Sequence, residues 1–297
     1  MSGCRKPRFA AWALIWLLAG SGAMAAPLKV VTTFSVLGDI TSRIGGGAVQ
    51  VTSLVGPGGD AHVFEPTPRD AKTLAAADLV VVNGMGLEGW LDRLIAVSGY
   101  KGPVAVASRG VAPLSPDVNG TAVDPHAWQN LANGRLYVAN IAAALDRTDP
   151  ADASQFDQRA RRLEGEIDDL DAWVRQQIAQ VPRSKRKIIT SHDSFGYFGA
   201  AYDVTFLAPV GLSTEGEPTA AGFGRLVKQI RSEGIKALFI ESMTDPRLVQ
   251  QLARETGAVC DGPLYADTLS PAGGPADSYL AMFRHNVPAM VAAMQKN

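Results

Sequence analysis

The chain reads as an α/β protein with two lobes, each built on a parallel sheet of strand and helix units, joined by one long helix. Three observations predict this. Short apolar runs alternate with helical patterns from Leu28 onward, a single apolar stripe at helical period runs from Asp149 to Pro182, and the alternation then resumes. The expected segments are 1–25, an export signal; 26–148, the first α/β lobe; 149–182, the linking helix; and 183–297, the second α/β lobe.

Arg5, Lys6 and Arg8 precede an apolar run from Phe9 to Leu18 that is too short for a membrane anchor, and Ala23-Met24-Ala25 is a small-x-small cleavage site. Cys4 lies before the apolar run, so the sequence predicts a protein free in the periplasm and not a lipoprotein. No later run approaches the roughly 18 apolar residues of a membrane helix. Of the 28 Lys+Arg and 29 Asp+Glu, only three basic residues lie in 1–25, which leaves the mature chain at −4. That balance argues against nucleic acid or an anionic membrane as partner. Cys260 is the lone mature cysteine and is expected to be a small buried hydrophobe in Ala258-Val259-Cys260.

In the first lobe, Leu28–Val31 is an expected strand, followed by a helical pattern through Ile44 and a second strand at Val49–Val55. Gly56-Pro57-Gly58-Gly59 breaks the chain and puts Asp60 and His62 on a loop. Thr67 then caps a helix whose first residue is Pro68. Leu79–Val82 and Val104–Ala107 are strands around a helix at Leu87–Ala96, and residues 111–123 form a loop ending at Asp124-Pro125-His126. A helix over Leu131–Leu145 precedes the long one, which Asp149 should cap with Pro150 in its first turn. Its stripe is Phe156, Ala160, Leu163, Ile167, Leu170, Val174 and Val181. A helix over 150–181 would span roughly 48 Å, long enough to join two lobes.

In the second lobe, Lys187–Thr190 is a strand with His192 just beyond it, Phe195–Tyr202 a helix and Val204–Leu207 a strand. An irregular loop over 211–218 leads to a helix over Thr219–Glu233, a strand at Ala237–Ile240 ending in Glu241, and a helix capped by Asp245-Pro246. Ala258–Cys260 is a strand, Tyr265-Ala266-Asp267 a loop, and a last helix starts near Pro275. In sheets of this kind ligands sit beyond the carboxyl ends of the strands.

Only four histidines occur, and three of them, His62, His126 and His192, stand near carboxylates at junctions of that kind. Together they predict one metal site, while His285, inside the last helix, reads as structural. A carboxylate would complete the set; Asp267 and Asp261 are both available, and spacing alone leaves the choice open. Imidazole nitrogen suits a borderline cation, so Zn2+ fits best, Mn2+ becomes plausible as carboxylates replace imidazoles, and ligand type alone leaves Cu and Ni open. Each ligand imidazole also needs an acceptor on its second nitrogen. Asp60, Glu65, Asp124, Asp193 and Glu241 are available for that, although an Asp before a helix or a Pro also serves as a cap. A zinc hydrolase with Glu65 or Glu241 as general base is the enzyme alternative; no His-Glu-x-x-His or Gly-x-Ser-x-Gly pattern supports it. An exported structural module finds no support in repeats.

Several segments in this order resemble the metal-binding components of bacterial ABC importers for zinc and manganese. They are His62-Val63-Phe64-Glu65-Pro66-Thr67-Pro68, the run from Gly84 to Leu91, Asp124-Pro125-His126-Ala127-Trp128, and the run from Ser191 to Phe198. Gly211 to Pro218, Phe239-Ile240-Glu241-Ser242 and Leu264 to Leu269 continue the likeness to the end. The resemblance implies a metal site in the cleft between the lobes, ligand status for His62, His126, His192 and Asp267, and a monomer that delivers Zn2+ to a membrane permease, with a periplasmic metallochaperone as a possible loader. In the family the third position is often Glu in manganese-type and His in zinc-type members; here it is His192. Two departures stand out: the loop at 111–123 has no His, and Cys260 has no partner for a disulfide. One rigid linking helix implies small adjustments on metal release rather than wide hinge opening.

Overall fold

The computed structural model describes residues 26–115 and 122–297. The export signal with Cys4, and Pro116, Asn119 and Gly120 of the 111–123 loop, lie outside the described residues. The chain begins β1 (Leu28–Phe34), α1 (Ser35–Gly45), β2 (Val49–Val55), α2 (Pro68–Ala75), β3 (Leu79–Val82), α3 (Leu91–Ser98) and β4 (Val104–Val106). Two helices follow, α4 (Leu131–Thr148) and α5 (Ala153–Ala179). It then continues β5 (Lys187–Ile189), α6 (Gly196–Tyr202), β6 (Thr205–Leu207), α7 (Ala220–Glu233), β7 (Ala237–Glu241), α8 (Arg247–Thr256), β8 (Val259–Leu264) and α9 (Tyr279–Met294).

The strands form two four-stranded parallel sheets of the same connectivity, β2-β1-β3-β4 and β6-β5-β7-β8. In each the order reverses beside its first strand, and such a reversal opens a crevice at the carboxyl ends. The apolar runs of β1 and β3 are buried because helices cover both faces, so these strands show no alternation. One core runs from the first sheet through α4, α5 and α9 into the second, and a smaller cluster of Ile189, Leu226, Ile230, Leu238, Val249 and Leu252 lies under α7 and α8.

The long helix exists but is shorter than its stripe suggests. Phe156, Ala160, Leu163, Ile167, Leu170, Val174 and Ile178 are buried along its 27 residues, about 40 Å of helix. Asp149 does not cap it. α4 runs on to Thr148, the Asp149 amide donates to the Leu145 carbonyl at 2.8 Å, and its side chain accepts from the Ala151 amide at 3.2 Å. Pro150 therefore lies in the turn between two helices. Val181 stays buried past the helix end, before Pro182.

The helix expected from Leu87 starts at Leu91. Gly84, Met85 and Gly86 have φ of 82°, 57° and 84°, a left-handed stretch that an α-helix cannot continue. Half-buried Glu88 staples the turn, accepting from the amides of Asn83 at 2.6 Å and Gly84 at 3.1 Å and from the Thr33 hydroxyl at 2.7 Å. Burial pushes its carboxyl up against the pull of those donors. Cys260 is exposed, contrary to expectation. β8 is an edge strand that carries Gly262 and Pro263 and shifts register against β7, and there the packing that would bury a small hydrophobe is missing. Among the described residues no helix is long and apolar enough to cross a membrane.

Candidate metal centre

Four loops beyond strand ends bring His62, His126, His192 and Asp267 together. His62 follows β2, His126 follows β4, His192 follows β5 and Asp267 follows β8. One donor atom from each lies within 4.8 Å of all the others. His62 Nε2 is 3.2 Å from His126 Nε2 and 3.2 Å from Asp267 Oδ2. His192 Nε2 is 3.4 Å from His126 Nε2 and 3.1 Å from Asp267 Oδ2, and Asp267 Oδ1 is 3.5 Å from His126 Nε2. Ligands at about 2.0–2.1 Å from a tetrahedral ion stand about 3.3 Å apart, so the donors are already spaced for a single cation. All four side chains are at most 4% exposed. Asp267 Oδ1 is buried with no hydrogen-bond donor among the described residues, a lone-pair oxygen turned toward the gap.

Three of the four loops are held from outside. The Trp90 indole donates to the Ala61 carbonyl at 2.8 Å beside His62, and Asn83 Nδ2 donates to the Pro125 carbonyl at 2.9 Å beside His126. Asn83 Oδ1 in turn accepts from the Tyr137 hydroxyl at 2.5 Å. Beside Asp267, the Ala266 carbonyl accepts from Trp128 Nε1 and Gln129 Nε2, both at 2.9 Å. These are contacts that the sequence pattern did not disclose, because a lone Asn, Trp or Gln in a loop carries no spacing signal.

The five carboxylates proposed to support the ligands divide. Asp124 Oδ1 accepts from the His126 amide at 2.9 Å and lies 2.7 Å from its Nδ1. Glu241, at the end of β7, accepts from the His192 amide at 2.9 Å, and its other oxygen lies 2.7 Å from His192 Nδ1 and accepts from the Ser194 hydroxyl at 3.1 Å. The His192 ring makes no well-aligned hydrogen bond there, so an ion pair describes the contact better. Asp60 holds only the backbone of its histidine: Oδ1 accepts from the His62 amide at 2.9 Å, and Oδ2 accepts from the Thr214 hydroxyl at 2.7 Å. Glu65 is exposed and far from a supporting role. Asp193 makes no hydrogen bond to a ligand ring among the described residues; burial and the nearby Asp124 push its carboxyl up. Asp261, the other candidate ligand, is ion-paired with Lys296 instead. His285 contacts the Pro263 carbonyl at 3.2 Å, a structural position.

Burial opposes charge on the imidazoles, but neighbouring carboxylates win. His126 is pushed up to about 9 by Asp267 and Asp124, and His192 is raised by Glu241 and Asp267. Asp267 is held well below the usual carboxylate range by His126 and His192 despite its burial. The neighbouring carboxylates therefore favour the protonated form of both rings when no cation is present, and a cation competes with those protons. A cavity of about 850 Å³, lined by Asp60, His192, Thr214, Glu217 and Met243 among others, opens on the His192 side.

Residues 30–293 match the protein family described as zinc-uptake complex component A, periplasmic. The iron-binding protein YfeA of Yersinia pestis is 34% identical over 268 residues, which cover 89% of this chain and 85% of that one. The manganese-binding lipoprotein MntA of Bacillus subtilis is 32% identical over 275 residues, 90% of each chain. The solved structure of the periplasmic zinc-binding protein TroA of Treponema pallidum superimposes with a TM-score of 0.86 at 30% identity, covering 91% of this chain and 99% of that one.

The name of MntA overturns one expectation. A relative that is 32% identical over 90% of each chain is a lipoprotein, which contradicts the reading of this chain as free in the periplasm and not a lipoprotein. That reading rested on the place of Cys4 in a segment outside the described residues. Carrying an ion to a membrane permease gives no physical reason for the carrier to be untethered.

Proposed function

Since the chain belongs to the metal-binding, substrate-binding components of ABC importers, we propose that its cargo is Zn2+, held by His62, His126, His192 and Asp267. Proteins of this family bind a substrate for a membrane permease and are not enzymes. The observation that carries the proposal is the cluster of three imidazole nitrogens and one carboxylate within 4.8 Å. Three nitrogens and one oxygen form a closed tetrahedral set, which suits zinc and leaves no position for a reactive water. Glu241, the buried carboxylate nearest to a general base, is occupied by the His192 amide, the His192 ring and Ser194.

Manganese is the second reading, favoured by the name of MntA, and the iron of YfeA belongs to the same question. The donor set argues for the softer ion, because manganese sites are richer in carboxylate oxygen. Competition titration of Zn2+ and Mn2+ into metal-stripped protein, with His192→Glu beside the wild type, tests this. The expected result is one tight zinc equivalent that manganese does not displace, with the variant shifted toward manganese. Manganese displacing zinc from the wild type would overturn the choice of ion, and no tight binding of either would overturn the ligand set.

A further inference from the structure

Resting on that ligand set, we propose that Trp128 and Gln129 are positioning residues that hold Asp267 with His62 and His126. Three ligands then form a half-site on the first-sheet side of the cleft, and His192 is the ligand that joins last and leaves first.

Chain order puts Asp267 after β8, in the second sheet, but the hydrogen bonds around it run the other way. Both lone pairs of the Ala266 carbonyl are taken by donors from the turn that follows His126, Trp128 Nε1 and Gln129 Nε2, each at 2.9 Å. Both donors are at most 1% exposed, so no water competes for these bonds. On the far side of Asp267, the Gly58 amide donates to Thr268 Oγ1 at 2.7 Å and to the Leu269 carbonyl at 3.2 Å. The Leu269 amide donates to Ser35 Oγ at 3.0 Å. One residue before the clamp, Tyr265 is tied to α9 through Asn286 at 3.0 and 2.6 Å. The chain thus leaves its own sheet between Tyr265 and Ala266.

His192 is fastened differently. Its amide goes to Glu241 at the end of β7, its carbonyl accepts from Thr190 Oγ1 at 2.9 Å, and it pairs with Val210 in an isolated parallel bridge, all within the second half of the chain. Further side-chain bonds from this half to the first include Thr214 to Asp60 at 2.7 Å, the Leu114 amide to the Tyr197 hydroxyl at 2.9 Å and the Tyr197 hydroxyl to the Ala112 carbonyl at 3.3 Å. The first of these, Thr214 to Asp60, lines the cavity that opens on His192. A small shift of the second sheet withdraws His192 and leaves the other three donors in register.

A double-mutant cycle with Zn2+ alone as probe tests this. Gln129→Met removes one donor to Ala266 and adds no charge. It should weaken zinc binding roughly 10–100-fold in the wild type and in His192→Ala, the range expected for an outer support of a ligand, but less than about threefold in Asp267→Ala. His192→Ala should still bind one zinc through the half-site. Trp128→Phe, which removes the indole N–H but also shrinks a buried ring packed on His126, repeats the test should Gln129→Met fail to fold, with the same substitution in Asp267→Ala separating the two effects. An equal penalty in wild type and Asp267→Ala overturns the positioning role. An Asp267→Ala protein that binds as tightly as wild type overturns the ligand reading itself, a different result from the first.

Discussion

Two loops of the molecule share the pattern Asp-x-His, and they use it differently. In both, the Asp carboxylate accepts from the amide of the histidine two residues on, at 2.9 Å, a local turn that sets the backbone. At Asp124 the same oxygen also reaches the His126 ring at 2.7 Å, fixing its tautomer and aiming Nε2 at the centre. At Asp60 the second oxygen turns to Thr214 on the 211–218 loop, and among the described residues no carboxylate is paired with the far nitrogen of the His62 ring. The pattern encodes the turn; what surrounds the turn decides what the carboxylate does. His192 makes the point from the other side, since its ring lies against Glu241, 49 residues away.

Substitutions separate the two loops. The largest effect is expected from His126→Ala, which removes a proposed ligand: zinc affinity should fall by more than the ~10–100-fold assigned to outer supports. Direct titration against a calibrated chelator reads it, and a fall below tenfold would remove His126 from the ligand set. Next, Asp124→Asn should cost about 10–100-fold, while Asp60→Asn should cost less than about fivefold and act mainly by loosening the 211–218 loop. Equal losses from the two would show that the loops are equivalent after all. Gly196→Ala sharpens the contrast, because a Cβ there would stand 2.5 Å from Asp124 Oδ2, and the carboxylate would have to leave its line to His126. An affinity loss of roughly tenfold is expected, absent in an Asp124→Asn background.

The smallest effect is on stability against pH, and its sign differs with and without metal. His126 and His192 are raised in the metal-free fold, so their stabilising contribution is full below about 6.5 and is lost as pH rises, for His126 through about 9. Asp267, depressed, contributes from above the ordinary carboxylate range and loses its contribution only in strong acid. Metal binding must expel the ring protons, so affinity rises with pH over the same window. Thermal melts from pH 6.5 to 9 should show the metal-free Tm falling and the gain from saturating zinc growing. Parallel melting curves across that window would contradict the protonation pattern.

Much of the fold was legible because its signals are local or periodic. The stripe from Phe156 to Val174 is a helix because one side of it faces core, and Thr67-Pro68 starts α2 with a capping box to Asp70. The misreadings have equally physical causes. Asp149 and Pro150 suit a helix start, but they occupy the turn between α4 and α5 because α4 extends farther than its pattern. Leu87 to Trp90 carry helical apolar spacing, yet the left-handed backbone at Met85 delays the helix. For the site, histidines beside carboxylates at strand ends were enough to nominate His62, His126 and His192, and spacing could not choose between Asp267 and Asp261. Nor could it see that Glu65 points to solvent, that Asp193 stays off the rings, or that Trp128 and Gln129 reach Ala266 across 138 and 137 residues. Those depend on how two sheets meet.

Whether one ion sits among His62, His126, His192 and Asp267 is decided by a crystal structure of zinc-loaded protein with anomalous data at the zinc edge. The prediction is a single anomalous peak in the cleft, about 2.0–2.2 Å from the Nε2 atoms of His62, His126 and His192 and from an Asp267 oxygen. A peak elsewhere, or one in the cleft lacking any of the three imidazoles, would contradict it.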